Sequence, residues 1–569
     1  MDPSANILKI LPNDPIFEEI LRAASTFTGP IVTHIDGFEA DYNRILRDLQ
    51  IWHKMLYQNL PSPMFGAEGL LHEARPYICT LGLSGYRYIV AFYTVLAMGG
   101  ACIPLAPDIS LEDASKIMQK AETKVLLVDR DSVPLADKIA LPTPGGITQI
   151  IFPPIDDFSD SGAQYRVGIN ENAAVSPERP AIAIATSGTT GDPKIIVHNR
   201  RHFHCKFTPG QGKAVLSYRP PYWLRGTTDL IFPILQGYRV HILPDSASAA
   251  LFWKSIHDRS FTTMAGSAYF FLLMKDYFQK HLSLLPRQIL DEYIDCLRQL
   301  EDIQFTASMI DPDTLEFWEK LCGGYRFVNI YGSTECGVIM QTKAGSKTEN
   351  SFGAPVPGVS VKLSKGDHGE ILVKSPTMFS HFLGDEAATQ AAFDAEGYYK
   401  TSDLAHKVGD EYIFDGRATS DFVLVDSKRV SILEVEQRLM CLPYLSEACV
   451  LAVPYRTTRE VVAAVVRLSW EEEKNSVDYR EPKARCDVTL ERIRSDLSVS
   501  LAKYKLPAML RVLQHDEDIP RTVSEKPLRR KVLEQYFKIS GYIAADYEEQ
   551  GVQMWGETFS SPAASGLYR

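Results

Sequence analysis

Thr186-Ser187-Gly188-Thr189-Thr190-Gly191-Asp192-Pro193-Lys194 is the stretch that decides how this chain is understood. A short apolar run, residues 181–185, precedes it and has the character of a buried strand. Glycine lets backbone N–H groups approach an anion closely, while hydroxyls and a lysine add donors and one positive charge. A loop of this make-up wraps a polyphosphate. It is not a Walker A loop, which needs Gly-x4-Gly-Lys-Ser/Thr, because here proline precedes a lysine that follows the second glycine by three positions. The bland alternative is a Ser/Gly-rich surface turn. The ordered string directly after a buried strand argues against it.

Around this loop, strands and helices alternate. Residues 31–41 are expected to form a hairpin and 42–60 an amphipathic helix. Residues 76–81 follow as a buried strand, then a helix over 86–98 that stops at Gly99-Gly100. A strand at 101–105, a helix at 111–121 and a strand at 124–129 complete the pattern, which implies parallel βαβ units. Residues 153–180, rich in Pro, Asp, Ser and Gly, are expected to be loop. Further on, 238–243 and 303–308 are strands, and 353–364 with 369–373 a small β-unit. Past Val430 the alternation shortens, over 432–442, 447–453, 461–468 and 490–501, with 471–485 a solvated charged loop.

The bulk composition narrows the function classes. A chain of 569 residues is too long for one hydrophobic core. Hydrophobic content of 45% and charged content of 23% suit an ordinary globular protein. Net charge of −11 without a basic stripe excludes nucleic acid as a main partner, while a locally positive site can still hold an anion. Nine cysteines without C-x-x-C offer neither zinc spacing nor a disulfide framework, which suits a reducing compartment. No apolar run is long enough for a membrane span, and residues 1–15 lack the pattern of a secretory signal. Leu567-Tyr568-Arg569 is not the peroxisomal tripeptide. A cytoplasmic enzyme is expected.

Three further stretches carry chemistry. In Asn329-Ile330-Tyr331-Gly332-Ser333-Thr334-Glu335 a strand ends at a glycine, and a hydroxyl and a carboxylate follow side by side. A hard carboxylate oxygen suits Mg²⁺ and a threonine hydroxyl can donate to phosphate, although Ser/Thr followed by Glu also opens ordinary helices. Gly397-Tyr398-Tyr399-Lys400-Thr401-Ser402-Asp403 ends in a carboxylate able to accept from two ribose hydroxyls. Ile519-Pro520-Arg521-Thr522-Val523-Ser524-Glu525-Lys526-Pro527-Leu528-Arg529-Arg530 is, taken alone, a solvated basic helix start.

Together with the Gly99–Leu105 turn and Asp415-Gly416-Arg417, these motifs resemble, in order and spacing, the AMP-forming acyl-adenylating superfamily of acyl-CoA synthetases, peptide-synthetase adenylation domains and luciferases. The resemblance implies an α/β fold: a large adenylate-forming domain of βαβ layers plus a small β-unit over 1–415, and a small mobile α+β domain over 416–540. Residues 541–569 are expected to be a partly disordered tail. It implies that Thr186, Ser187, Gly188, Thr189, Thr190, Gly191 and Lys194 hold the ATP phosphates. Thr306, Ala307 and Ser308 meet the adenine, with Asn329, Tyr331 and Gly332 nearby. Asp403 and Arg417 fix the ribose, with Arg429 as a further basic contact. Glu335 holds Mg²⁺, and Thr334 and Lys526 act at the α-phosphate, so that Lys526, Thr334 and Glu335 are the catalytic set. Trp223, Arg225 and Tyr269 are expected to line the acid pocket, where Tyr222, Phe270 and the other rings suggest apolar walls and Arg225 suits a second carboxylate. The activity implied is conversion of a carboxylic acid to its acyl-adenylate with release of pyrophosphate, then transfer to a thiol. Coenzyme A is the first choice of acceptor, since no carrier domain is attached. A separate phosphopantetheinyl carrier protein, or a non-catalytic adenylate-binding role, are the alternatives. The chain departs from the pattern at Ser402 and Glu525, each standing where the family has glycine. It also departs at the hinge, where Thr419 or Ser420 replaces the usual residue, and at Asp426-Ser427, which replaces a glycine pair.

Overall fold

The computed structural model describes residues 8–66, 68–74, 76–141, 146–152, 167–186, 193–206, 208, 212–306, 309–324, 326–346, 348–418, 421–425, 428–455, 459–469, 488–522, 526–537 and 551–555. Among them a first sheet runs, edge to edge, through His381–Phe382, Lys194–Asn199, Pro180–Thr186, Ala101–Leu105, Tyr77–Leu81, Val125–Val128 and Thr148–Ile151. From Pro180–Thr186 to Thr148–Ile151 all neighbours are parallel, and Lys194–Asn199 turns back antiparallel. Tyr77–Leu81, Ala101–Leu105 and Val125–Val128 are buried at every residue, which is why they appear in the sequence as unbroken apolar runs.

A second sheet has a parallel half, Val32–His34, Arg239–Ile242, Ala214–Ser217, Thr263–Ser267, Asp302–Thr306 and Phe327–Ser333. Beyond Phe327–Ser333 it continues antiparallel into Gly337–Gln341, Ser351–Pro355, Glu411–Arg417, Tyr399–Val408 and His368–Lys374. The helix Gly85–Ala97 lies between the layers. Its core cluster joins Ile78, Cys102 and Ile182 of the first sheet to Val32, Val240 and Ile242 of the second. A helix with apolar neighbours all round carries apolar residues all round, and eleven of its thirteen residues are buried. It ends where Gly99 takes a φ of +74°, a left-handed turn that glycine adopts without steric cost.

Two expectations need correction. Residues 167–174, expected as loop, are the strand Val167–Ala174, paired in parallel with Leu8–Asn13. Its sequence is polar because it forms a two-stranded edge ribbon with little burial, so no apolar alternation marks it. Within the expected tail, Val552–Met554 pairs antiparallel with Met509–Val512 and completes a four-stranded sheet with Leu445–Tyr455 and Arg459–Leu468. Buried Val552 and the Arg494 guanidinium stacked 4.2 Å over Trp555 hold it there. The expected charged loop 471–485 lies outside the described residues.

Among the described residues, the contacts of the C-terminal sheet and its helices Ile432–Met440 and Leu490–Leu497 with the larger part of the chain include three side-chain pairs. Asn350 Nδ2 donates to Gln437 Oε1 at 2.9 Å, Arg438 lies 3.7 Å from Glu349, and the Arg521 guanidinium sits 4.1 Å over the Tyr269 ring. These contacts set the orientation in which Lys526 is presented.

Candidate active site

In the parallel part of the second sheet, the strands Ala214–Ser217, Thr263–Ser267, Asp302–Thr306 and Phe327–Ser333 end along one edge. The carboxyl edge of a parallel sheet is where ligands of α/β proteins gather. The phosphate-loop candidate connects two antiparallel strands whose ends pair Thr186 with Lys194, and Thr186 Oγ1 donates to the Lys194 carbonyl at 3.3 Å. Lys194 is exposed, its ammonium 5.2 Å over the Phe382 ring. Ser187, Gly188, Thr189, Thr190 and Gly191 lie outside the described residues, as do Ala307, Ser308, Thr419, Ser420, Asp426 and Ser427.

Thr306 ends its strand between Ser267 and Ile330. Asn329 is buried, its amide donating to Ser351 O at 2.8 Å and reaching Met309 Sδ at 3.5 Å. Gly332 has no room for a side chain, because a Cβ there would stand 2.3 Å from the Gly337 carbonyl. The strand therefore doubles back tightly, and Thr334 and Glu335 fall on the turn between Phe327–Ser333 and Gly337–Gln341.

The structure joins Tyr331, Asp403 and Arg417 into one group. Tyr331 Oη donates to Asp403 Oδ2 at 2.7 Å and Arg417 Nε donates to Oδ1 at 2.7 Å. Asp403 is buried, and a carboxylate retains lone pairs for two more donors after accepting these. Burial, then the Asp403 charge, pushes the Tyr331 hydroxyl well above the ordinary tyrosine range. Ser402 just before it has a φ of +62°, the left-handed region, which explains why the family pattern places glycine there.

Lys526 is exposed, yet the crowded cleft lowers its pKa from the ordinary lysine value. Arg417 acts in the same direction, while Asp403, Asp421 and Glu335 oppose it. The lysine from the small C-terminal unit therefore lies within electrostatic reach of the expected metal carboxylate and ribose carboxylate together. Tyr399, quoted in the sequence motif but given no role, completes the site. Burial, followed by the charge of Glu335, raises the pKa of its hydroxyl far above normal. Nothing in the local sequence marks Tyr399 for this.

Other expectations are placed elsewhere. Arg429 is exposed on the hairpin Phe422–Val425/Lys428–Ser431, 5.4 Å over the Phe422 ring. Phe270 is a buried residue of the core, stacked on Tyr218 at 5.2 Å. Trp223 caps the helix Leu224–Gln236, edge-on to Tyr222 at 6.0 Å. Arg225 Nε is 2.7 Å from Asp229 Oδ1, and the same buried carboxylate holds Arg219 at 3.0 Å. Arg219, which follows the strand Ala214–Ser217 at the carboxyl edge, and Asp229 were not foreseen. Tyr269 faces Arg521.

Residues 67–383 match the family model of AMP-binding enzymes, and residues 434–526 match that of the AMP-binding enzyme C-terminal domain. The chain is 31% identical to the acyl-CoA ligase oryP of Aspergillus oryzae over 93% of each chain. It is 26% identical to a malonate–CoA ligase of Arabidopsis thaliana over 77% of this chain and 75% of that one. Among solved structures, the anthranilate CoA ligase AuaEII in complex with anthranoyl-AMP superposes with a TM-score of 0.74 at 18% identity, covering 92% of this chain and 97% of that one.

Proposed function

Because the chain belongs to the AMP-binding enzyme family and is an AMP-forming acid–thiol ligase of the acyl-CoA ligase kind, we propose that the residues gathered between Glu335 and Lys526 carry out both of its half-reactions. In the first, a carboxylate oxygen of the acid attacks the α-phosphorus of ATP. The bond from that phosphorus to the bridging oxygen breaks, and pyrophosphate leaves. In the second, the sulfur of coenzyme A attacks the acyl carbon, and AMP leaves with the mixed-anhydride oxygen. The observation that carries this assignment is the joining of Tyr331 and Arg417 on the buried Asp403 carboxylate, whose charge, with that of Glu335, acts on Lys526 of the small unit.

The protein's work is positioning, and stabilisation of charge that grows in the transition state. Lys526 and the Thr334 hydroxyl serve the α-phosphate. Lys194 and the loop before it serve the outer phosphates. Asp403, oriented by Tyr331 and Arg417, receives the ribose hydroxyls. Glu335 suits Mg²⁺ because it supplies one hard carboxylate oxygen ligand. Mg²⁺ is commonly held by one or two carboxylates together with substrate phosphates rather than by a protein cage. When bound it neutralises phosphate charge. Replacing Glu335 with Gln keeps shape and removes that charge, so a raised Mg²⁺ requirement with a large loss of adenylation is expected. Titration like wild type would reduce Glu335 to a turn residue.

The acid is read from the pocket. Tyr222, Trp223 and Tyr269 favour an apolar or aromatic body. A second reading rests on Arg225, which stays 35% exposed beside Asp229. Its charge suits a second carboxylate, and the relative named as a malonate–CoA ligase supports it. Acid-dependent exchange of labelled pyrophosphate into ATP, run over fatty, aromatic and dicarboxylic acids, tests both readings. No exchange with any acid would favour the non-catalytic alternative. Thioester formation with coenzyme A, against a phosphopantetheinyl carrier protein, tests the acceptor. Among the described residues no helix is long and apolar enough to cross a membrane, and cell fractionation checks the proposed cytoplasmic location.

A further inference from the structure

The turn that carries Thr334 and Glu335 must aim two side chains at the nucleotide while its own carbonyls face protein. Three consecutive carbonyls of this turn are each held by a donor from outside it. His198 Nε2 lies 2.7 Å from Thr334 O, Phe379 N–H donates to Glu335 O at 2.7 Å, and Thr377 Oγ1 donates to Cys336 O at 3.2 Å. A carbonyl only accepts, so the His198 Nε2 carries the proton. His198 is fully buried, and burial, with His202 beside it at 4.5 Å between ring centroids, keeps it neutral. His202 in turn donates from Nδ1 to Thr377 O at 3.1 Å.

The suppliers are themselves tied together. His198 belongs to the strand Lys194–Asn199, whose first residue closes the phosphate loop, and Ser380 N–H donates to Val197 O at 2.7 Å. Gly337, at φ +70°, brings the chain so close that a Cβ would stand 3.1 Å from Thr377 Oγ1. The strand leaving the phosphate loop and the turn bearing Glu335 are therefore one hydrogen-bonded unit.

From this geometry we propose that His198 and Thr377 are positioning residues, which aim the Glu335 carboxylate by fixing the carbonyls on either side of it. The proposal rests on the assignment of Glu335 to the metal. A group that orients a metal ligand, when removed, typically costs 10–100-fold in metal affinity. A purely structural donor would change stability and leave metal affinity alone.

The test uses the full chain and Mn²⁺ with ATP, without acid, followed by the electron paramagnetic resonance of bound Mn²⁺, so that the readout is binding and not turnover. His198→Leu keeps an apolar shape and removes the donor. His198→Gln restores an N–H near the same place. Thr377→Val removes one hydroxyl at nearly constant shape. Half-saturating Mn²⁺ is expected to rise about 10-fold in His198→Leu and in Thr377→Val, and to return close to wild type in His198→Gln. Wild-type Mn²⁺ binding in folded Thr377→Val and His198→Leu, with Glu335→Gln weakened, overturns the proposal and leaves the metal assignment standing. Where His198→Leu does not fold, Thr377→Val decides alone. Wild-type binding in Glu335→Gln overturns the metal assignment, and the proposal with it.

Discussion

Replacing Lys526 with alanine removes one positive charge that the carboxylates of Asp403, Asp421 and Glu335 attract and the guanidinium of Arg417 repels. The arriving ATP adds more negative charge, so the loss is felt most where charge grows, at the α-phosphate in the transition state. Two unit charges ~4 Å apart at an effective dielectric of about 20 interact by roughly 4 kcal/mol. Lys526 is exposed, so water and salt reduce that figure. Loss of one preorganised donor costs about 2.7–4 kcal/mol, or about 10²–10³ in rate, and the same range is expected here. The assay is acid-dependent exchange of pyrophosphate into ATP, with ATP affinity measured separately. Turnover should fall while affinity changes little, because the interaction is stronger in the transition state than in the ground state. Thioester formation from preformed acyl-adenylate should survive. A pH series adds a second readout. Catalysis needs the ammonium, so activity is present below the Lys526 pKa and lost as pH rises through it. That pKa lies below the ordinary 10.5 through crowding and Arg417, so kcat/KM should start to fall at a lower pH than an ordinary lysine would give. Lys526→Arg should move this limb to higher pH. Exchange at near wild-type rate in Lys526→Ala, or equal loss of both half-reactions, would refute the reasoning.

Three other outcomes are expected. Ser402→Gly relieves a left-handed φ of +62°, which costs an L-residue roughly 1–2 kcal/mol, against roughly 0.5–1 for the added chain entropy of glycine. A small rise in Tm follows, and a fall would mean that the Ser402 side chain holds something. His198, His202 and His241 are buried and held neutral, with pKa values lowered to about 3, 4 and 4. The unfolded chain then binds more protons as pH falls below about 6.5, so stability is full above that pH and is lost towards pH 4 by up to ~1.4 kcal/mol per histidine per pH unit. Urea melts between pH 7 and 4.5 measure this, and a flat profile counts against it. Ser420→Pro restricts both hinge candidates, so exchange should survive while thioester formation collapses. Unchanged thioester formation would place the hinge elsewhere.

The parts of this protein visible in its sequence are those made by neighbours in the chain. The 186–194 loop, the Thr334-Glu335 pair and the Lys526 segment each gather their donors within a few residues, so residue type and order suffice to announce them. The buried strands at 77–81, 101–105 and 125–128 are equally plain, because a strand covered on both faces is apolar throughout. A strand such as 167–174 stays hidden because its stability comes from pairing with Leu8–Asn13 and not from burial. Tertiary structure alone decides which side chains meet. Tyr331 finds Asp403 across 72 positions and His198 finds Thr334 across 136, and hydrogen bonds of that span leave no periodicity to read. It also sets contacts that residue type leaves open, with Arg429 over Phe422, Asn329 bonded to Ser351 and Phe270 in the core. Local order of donors names the chemistry; which carboxylates act on the lysine depends on how the two parts of the chain meet, through Asn350, Gln437, Tyr269 and Arg521.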